Sequence, residues 1–259
     1  MPMRKAPHFN QALEQALYYT LTAAALLLIW QGVARQVQAD YLPGPAMVIP
    51  RLAEMLITHE LWAALGASLL RLAISFGLAL AGGIALGLAI GRVPLLRALV
   101  EPVLALSYPI PKAAILPIVM LWFGAGDISQ VFVIATTATL PIIYHTADGA
   151  ARINERLLWA ADSMGSTRPR RLWRVVLPAT LPEIAAGART GIMMGLIVMV
   201  TAEMIARNDG IGSLLFIHFD MGQNIDMYAL IVLLGIVGLT LDMLLRWPLR
   251  RLTHWATDQ

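Results

Sequence analysis

Ionisable side chains are scarce inside the long apolar runs of this sequence, and three of them carry what chemistry those runs offer: Arg71, Lys112 and Glu203. An ionised group in hydrocarbon is costly, so each must meet a counter-charge, face a cavity or reach an interface. Lys112 follows Pro109 and Pro111 in an otherwise apolar segment. Two roles suit it: counter-charge to an anionic solute, or a cation that snorkels to the interface. Arg71, a turn into an apolar run, is expected to reach the headgroups outside that end, with a pair to Glu203 as a further hypothesis. Glu203 itself reads as a structural or gating partner rather than a catalytic acid. Met193, Met194, Met199 and Met204 follow one another along one run, either as packing filler or as an adaptable lining. Tyr108, beside Pro109, joins Lys112, Met193, Met194 and Glu203 as the candidate lining of any path through these runs.

Enzyme chemistry finds little support. His8, His59, His145, His218 and His254 are dispersed, without an H-E-x-x-H or other metal spacing, and cysteine is absent. No Ser–His–Asp arrangement can be inferred, and no G-x-x-x-x-G-K-[ST] phosphate loop occurs. No catalytic residue and no metal ligand is expected. An intramembrane enzyme needs a positioned nucleophile or metal, and the sequence offers neither. Nucleic-acid binding is disfavoured too, because the basic residues are not interleaved with stacking aromatics.

The elements that hold these residues are membrane helices. Of 259 residues, 58% are hydrophobic and 14% charged, with a mean hydropathy of +0.69. A soluble domain carries nearly twice that charge fraction. Apolar runs long enough to span lie near 16–34, 67–91, 102–124, 128–147, 184–206 and 227–247. The fold class expected is an all-α integral membrane protein of six transmembrane helices. Pro109, Pro111 and Pro117 interrupt the third run, and breaks in lipid survive only against protein or a water-filled path. Gly77, Gly82, Gly83, Gly87 and Gly91 in the second run are expected to let helices approach closely. Residues 35–66 read as an extracytoplasmic elbow, with a short interfacial helix from Pro50 to His59. No cleavable leader is expected in the polar start of the chain.

Arginine placement orients the spans. Arg4, Lys5, Arg92, Arg97, Arg152, Arg156, Arg168, Arg170, Arg171, Arg174, Arg246, Arg250 and Arg251 alternate with loops holding only Arg35, Arg51 and Arg207. Six spans place the first group, a tail at 1–15 and a tail at 248–259 in the cytoplasm.

The most informative segment is 149–183, the loop between the fourth and fifth spans. Asn154 suits a helix N-cap, and Leu157, Leu158, Ala161 and Met164 follow at helical spacing on one face. Gly165 suits a left-handed C-terminal position. Ser166 or Thr167 then caps a second short helix, with Pro169 in its first turn and Pro178 stopping it. Thr180 and Glu183 have the spacing of a capping box. Two short helices at a sharp angle, rimmed by Arg168, Arg170, Arg171 and Arg174, form a knob suited to a groove on a partner. Those arginines either meet acidic partner residues or fix topology against lipid headgroups. Trp173 is expected to anchor its helix at an interface.

"WAADSMGSTRPRRLWRVVLP" resembles the EAA loop of importer permeases, in which E-A-A is followed by three residues, Gly, nine residues and I-x-L-P. Ala160, Ala161, Gly165, Val175, Leu177 and Pro178 keep that spacing, while Trp159 stands where the pattern has glutamate. "LPGPAMVIPRLAEML", "LWFGAGDISQ" and "AEMIARNDGIGSLL" extend the resemblance over nearly the whole chain, to the nitrate, sulfonate, taurine and bicarbonate branch of binding-protein-dependent ABC importers. The resemblance also reaches importers of thiamine-precursor pyrimidines and aromatic acids. It implies a type I importer permease fold spanning 67–247, a second permease copy, two cytoplasmic ATPase subunits and an extracytoplasmic solute-binding protein. It further implies that this chain binds no cofactor, with ATP and Mg on the ATPase. Leu157, Leu158, Trp159, Ala160, Ala161, Asp162, Met164, Gly165, Arg168 and Pro178 are then the expected ATPase-coupling residues. A passive channel, by contrast, has no use for such a loop.

Overall fold

The computed structural model describes residues 9–37 and 39–252, so the expected tails fall largely outside the described residues. Among the described residues, five helices are long and apolar enough to cross a membrane: α1 (Phe9–Val37), α3 (His59–Arg92), α6 (Asp127–Ala151), α9 (Leu177–Ala206) and α11 (Asn224–Leu252). A sixth crossing is broken. α4 (Pro94–Ser107) and the helical stretch Lys112–Phe123, a 3-10 turn at Lys112–Ile115 followed by α5 (Leu116–Phe123), meet at 85°. The break falls at Pro109 and Pro111, whose missing N–H groups cannot continue the helical ladder. Short helices α2 (Pro45–Met55) and α10 (Ile211–Asp220) cover one end of the bundle, and α7 (Glu155–Ser163) and α8 (Arg168–Arg171) the other.

At the centre, α6 runs between α3 and α9. Small residues set both distances. A Cβ on Gly87 would come 2.5 Å from Thr146 Cβ, and one on Gly191 2.7 Å from the Ala138 carbonyl oxygen. Gly83 and Gly91 extend the first ridge and Gly187 the second, so backbone meets backbone where lipid supplies no hydrophobic drive. Gly77 and Gly82, expected to serve the same purpose, face open space instead. They lie off the stripe that Gly83, Gly87 and Gly91 make at every fourth residue.

α1 stands apart from this core. Its apolar residues Leu26, Leu28 and Ile29 are exposed, and its main ties are a Trp30–Tyr228 stack and a hydrogen bond from Ala46 N to Gln31 Oε1.

Two boundaries differ from expectation. The elbow helix spans Pro45–Met55 rather than Pro50–His59, because Pro45 at its start is pre-organised for a first turn. His59 begins α3, with Trp62 Nε1 donating to the Leu56 carbonyl, so the second crossing runs eight residues further toward the elbow than its apolar run suggests.

Candidate functional site

Three groupings of functional side chains result. At the arginine-rich end, α7 and α8 form the predicted knob. Asn154 Oδ1 accepts from Arg156 N at 3.0 Å and starts α7. Gly165, at φ +73°, ends it, with Gly165 N donating to the Asp162 carbonyl and Ser166 N to the Ala161 carbonyl. Arg171 Nη1 reaches both carboxylate oxygens of Asp162, at 2.7 and 2.5 Å, and braces α8 against α7. Leu158 is buried in a cluster with Leu88, Ala150, Ile153 and Val176, and Ala161 is buried as well. Leu157, Trp159 and Met164 project into solvent, at 53%, 62% and 80% exposure.

The expected apolar face of α7 is thereby corrected. A short helix lying on a bundle buries only an i, i+3 stripe, here Leu158 and Ala161, so Leu157 and Met164 turn outward with Ala160.

Pro178 is also corrected. It does not stop the second short helix, for Arg168–Ala206 is one continuous helical run. Leu172–Val176 forms a π turn, with Leu177 N donating to the Leu172 carbonyl, and Pro178 follows it in the first turn of α9, where its missing N–H costs least. Thr180 and Glu183 make no capping box. Thr180 Oγ1 donates back to the Val176 carbonyl, and Glu183 lies 3.4 Å from His145.

At the opposite end, Arg71 turns inward, not to headgroups. Its guanidinium meets Glu203 Oε1 at 2.9 Å, Asp127 Oδ1 at 2.6 Å and the Asp209 carboxylate, with only 5% of the side chain exposed. Glu203 is fully buried and also accepts from Ser68 Oγ at 2.8 Å and Gly212 N at 2.9 Å. Ser68 Oγ in turn accepts from Ile211 N. Gly210, at φ +102°, packs its bare Cα against the Glu203 carboxylate, leaving no room for a side chain. This node ties α3, the start of α6, the end of α9 and α10 into one unit. Sequence reasoning reached Arg71 and Glu203 but not Ser68, Asp127 or Asp209. The available signal was physical: one cation in an apolar helix demands counter-ions, and "GDIS" and "NDG" supply them beside helix termini.

The expected path residues divide. Tyr108, Lys112 and Met194 line one depression of about 230 Å3 with Thr137 and Leu140. Met193 packs instead against the cluster of Leu72, Ile134, Ile192, Leu196 and Met199, and Glu203 belongs to the node. Lys112 Nζ donates to the carbonyls of Ser107 and of Tyr108, closing the end of α4 at the break.

Broken and unbroken apolar crossings around a glycine-lined centre, with an exposed knob at one end and a buried ion-pair node at the other, make this a multi-span membrane subunit. Residues 79–254 match the family described as binding-protein-dependent transport system inner membrane component. The chain is similar to the taurine transport system permease protein TauC of Escherichia coli (strain K12), 32% identical over 241 residues that cover 90% of this chain and 88% of that one. It is also similar to the nitrate import permease protein NrtB of Synechococcus elongatus, at 29% identity over 92% of this chain and 90% of that one. Among solved structures, the MetNI methionine ABC transporter in inward facing conformations shares the fold, with a TM-score of 0.62 at 19% identity over 78% of this chain and 98% of that one. The chain belongs to the binding-protein-dependent ABC importer permeases, in the branch of taurine, sulfonate and nitrate permeases, and has the type I permease fold.

Proposed function

We propose that the chain acts as one of two identical permease subunits and passes a small organic or inorganic anion of sulfonate, taurine or nitrate type. A solute-binding protein delivers the anion outside the cell, and ATP with Mg is hydrolysed on separate cytoplasmic ATPase subunits. Both termini and the arginine-rich end face the cytoplasm, as the bias of arginine between the two sets of loops supports. The observation that carries the reading is the α7–Gly165–α8 knob, anchored by Leu158 and Ala161 yet presenting Leu157, Trp159, Ala160 and Met164 outward beside Arg168. An exposed apolar surface on a short helix is the complement of a groove, and its continuity with α9 lets a docked partner move a membrane crossing. Trp159 replaces a carboxylate with an indole, so the grip rests on shape and apolar contact. Asp162 braces the knob through Arg171, and Pro178 stands in the first turn of α9, just after the π turn that joins it to the knob.

The test is co-purification with the ATPase subunit and coupled uptake in the variants Gly165→Pro and Ala161→Arg. Proline cannot adopt φ +73°, and an arginine cannot fit where Ala161 is 3% exposed. Both variants insert but lose coupling of ATP hydrolysis to uptake. Normal coupled transport in both would overturn the assignment.

A further inference from the structure

The depression holding Tyr108, Lys112, Thr137 and Met194 does not end there. Tyr108 also lines a second one, of about 440 Å3, together with Pro141, Tyr144, His145 and Thr190. Tyr144 and His145 in turn line a third, of about 210 Å3, with Arg97, Glu101 and Asp148. Shared walls join the three into one trough along α6 from Thr137 to Asp148, roughly 16 Å of helix rise. α4 supplies one wall through Tyr108, and α9 the other through Thr190 and Met194.

The lining has a consistent chemistry. The Tyr108 and Tyr144 rings meet edge to face, with centroids 5.8 Å apart. Among the described residues, no hydrogen bond engages either phenol hydroxyl, so both donors are free for a solute. Lys112, at the head of the trough, is held by two carbonyls and, among the described residues, forms no ion pair with a carboxylate. At the other end Glu101 is matched by Arg97 at 3.2 Å and Asp148 by Arg152 at 2.7 Å, while Glu183 lies 3.4 Å from His145 Nδ1. The trough thus offers neutral hydroxyl donors along its middle and, at its head, a cation without a carboxylate partner among the described residues, while the charged lining of Lys112, Arg97, Glu101 and Asp148 balances to zero. A path must hold its cargo strongly enough to replace water yet weakly enough to release it, and phenol donors meet that condition better than a row of guanidinium groups.

We propose that this trough is the anion-holding stretch of the translocation path, with Tyr108 and Tyr144 as the donors that replace the hydration of a small oxyanion and Lys112 as the charge that draws it in. The proposal rests on the importer reading above.

The absence of cysteine allows a direct test. Tyr144→Cys and, as the gentler change, Thr190→Cys are made singly in the permease, which is reconstituted with its ATPase subunits. Leu78→Cys, on the exposed stripe of α3, serves as the apolar-surface control. Each is treated with the anionic reagent sulfonatoethyl methanethiosulfonate and with its trimethylammonium counterpart. Thiolate reactivity requires access to water, so both trough cysteines react about tenfold faster than the control. Relative to each reagent's rate with a free thiol, one unscreened charge at about 10 Å favours the anionic over the cationic reagent by about fourfold, a preference that Lys112→Met removes. Trough cysteines no faster than the control, or a reagent preference indifferent to Lys112, would overturn the proposal. Loss of the ATPase subunits during purification counts against the importer reading instead, and retained ATPase with unreactive cysteines counts against the trough alone.

Discussion

Arg71→Ala is the sharpest perturbation of the buried node. It leaves Glu203, fully buried, with Ser68 Oγ and Gly212 N but no cation. Removing one partner of a buried ion pair costs about 3–5 kcal/mol, most of it the uncompensated charge left behind. For a chain of this size about 2–4 °C of melting temperature accompanies each kcal/mol, so the expected fall is about 6–20 °C. The cause can be isolated. Glu203→Gln in the Arg71→Ala background removes the stranded charge while keeping an acceptor for Ser68 and Gly212, and it returns more than half of the loss. Seven tryptophans make intrinsic-fluorescence melting in detergent a practical assay. An Arg71→Ala variant that melts within about 2 °C of the parent, or a double variant whose loss equals the sum of its singles, would refute the pairing argument.

Other expectations follow from close packing and from the knob. Gly87→Leu forces α3 and α6 apart at Thr146 and lowers the yield of folded protein, whereas Gly77→Leu, pointing into open space, leaves melting unchanged. Size-exclusion profiles and melts separate the two. Trp159→Glu restores the motif carboxylate but removes an exposed indole worth about 1.5–3 kcal/mol when buried at an interface. ATPase retained on the permease then drops by about tenfold or more, and a pull-down with unchanged or stronger retention would show that the grip is not apolar.

Much of the fold was legible because the bilayer imposes it. Length and apolarity revealed the crossings, Pro109 and Pro111 revealed the bend, and Asn154 and Gly165 bounded α7 where their backbone chemistry demands. What escaped depended on partners distant in sequence. Whether Arg71 turns out to headgroups or in to carboxylates is decided by Asp127, 56 positions away, and Asp209, 138 positions away. The π turn escaped because proline reads locally as a stop, while the helix runs on through a change of hydrogen-bond register. His145 read as an isolated structural residue. Its company of Tyr108, Tyr144 and Thr190 comes from three helices, and no single stretch of sequence displays it.

The unbroken run from α8 through the π turn into α9 has a mechanical meaning. From Leu177 to Glu203 it is a rod of about 39 Å, one end beside the knob and the other locked into the ion-pair node. Pivoted at one end, such a rod converts a tilt of about 5° into a displacement of about 3 Å at the other, comparable to the length of one hydrogen bond. Under the proposed function, a push on the knob would therefore reach the clasp around Arg71 at the scale of movement that makes or breaks an ion pair.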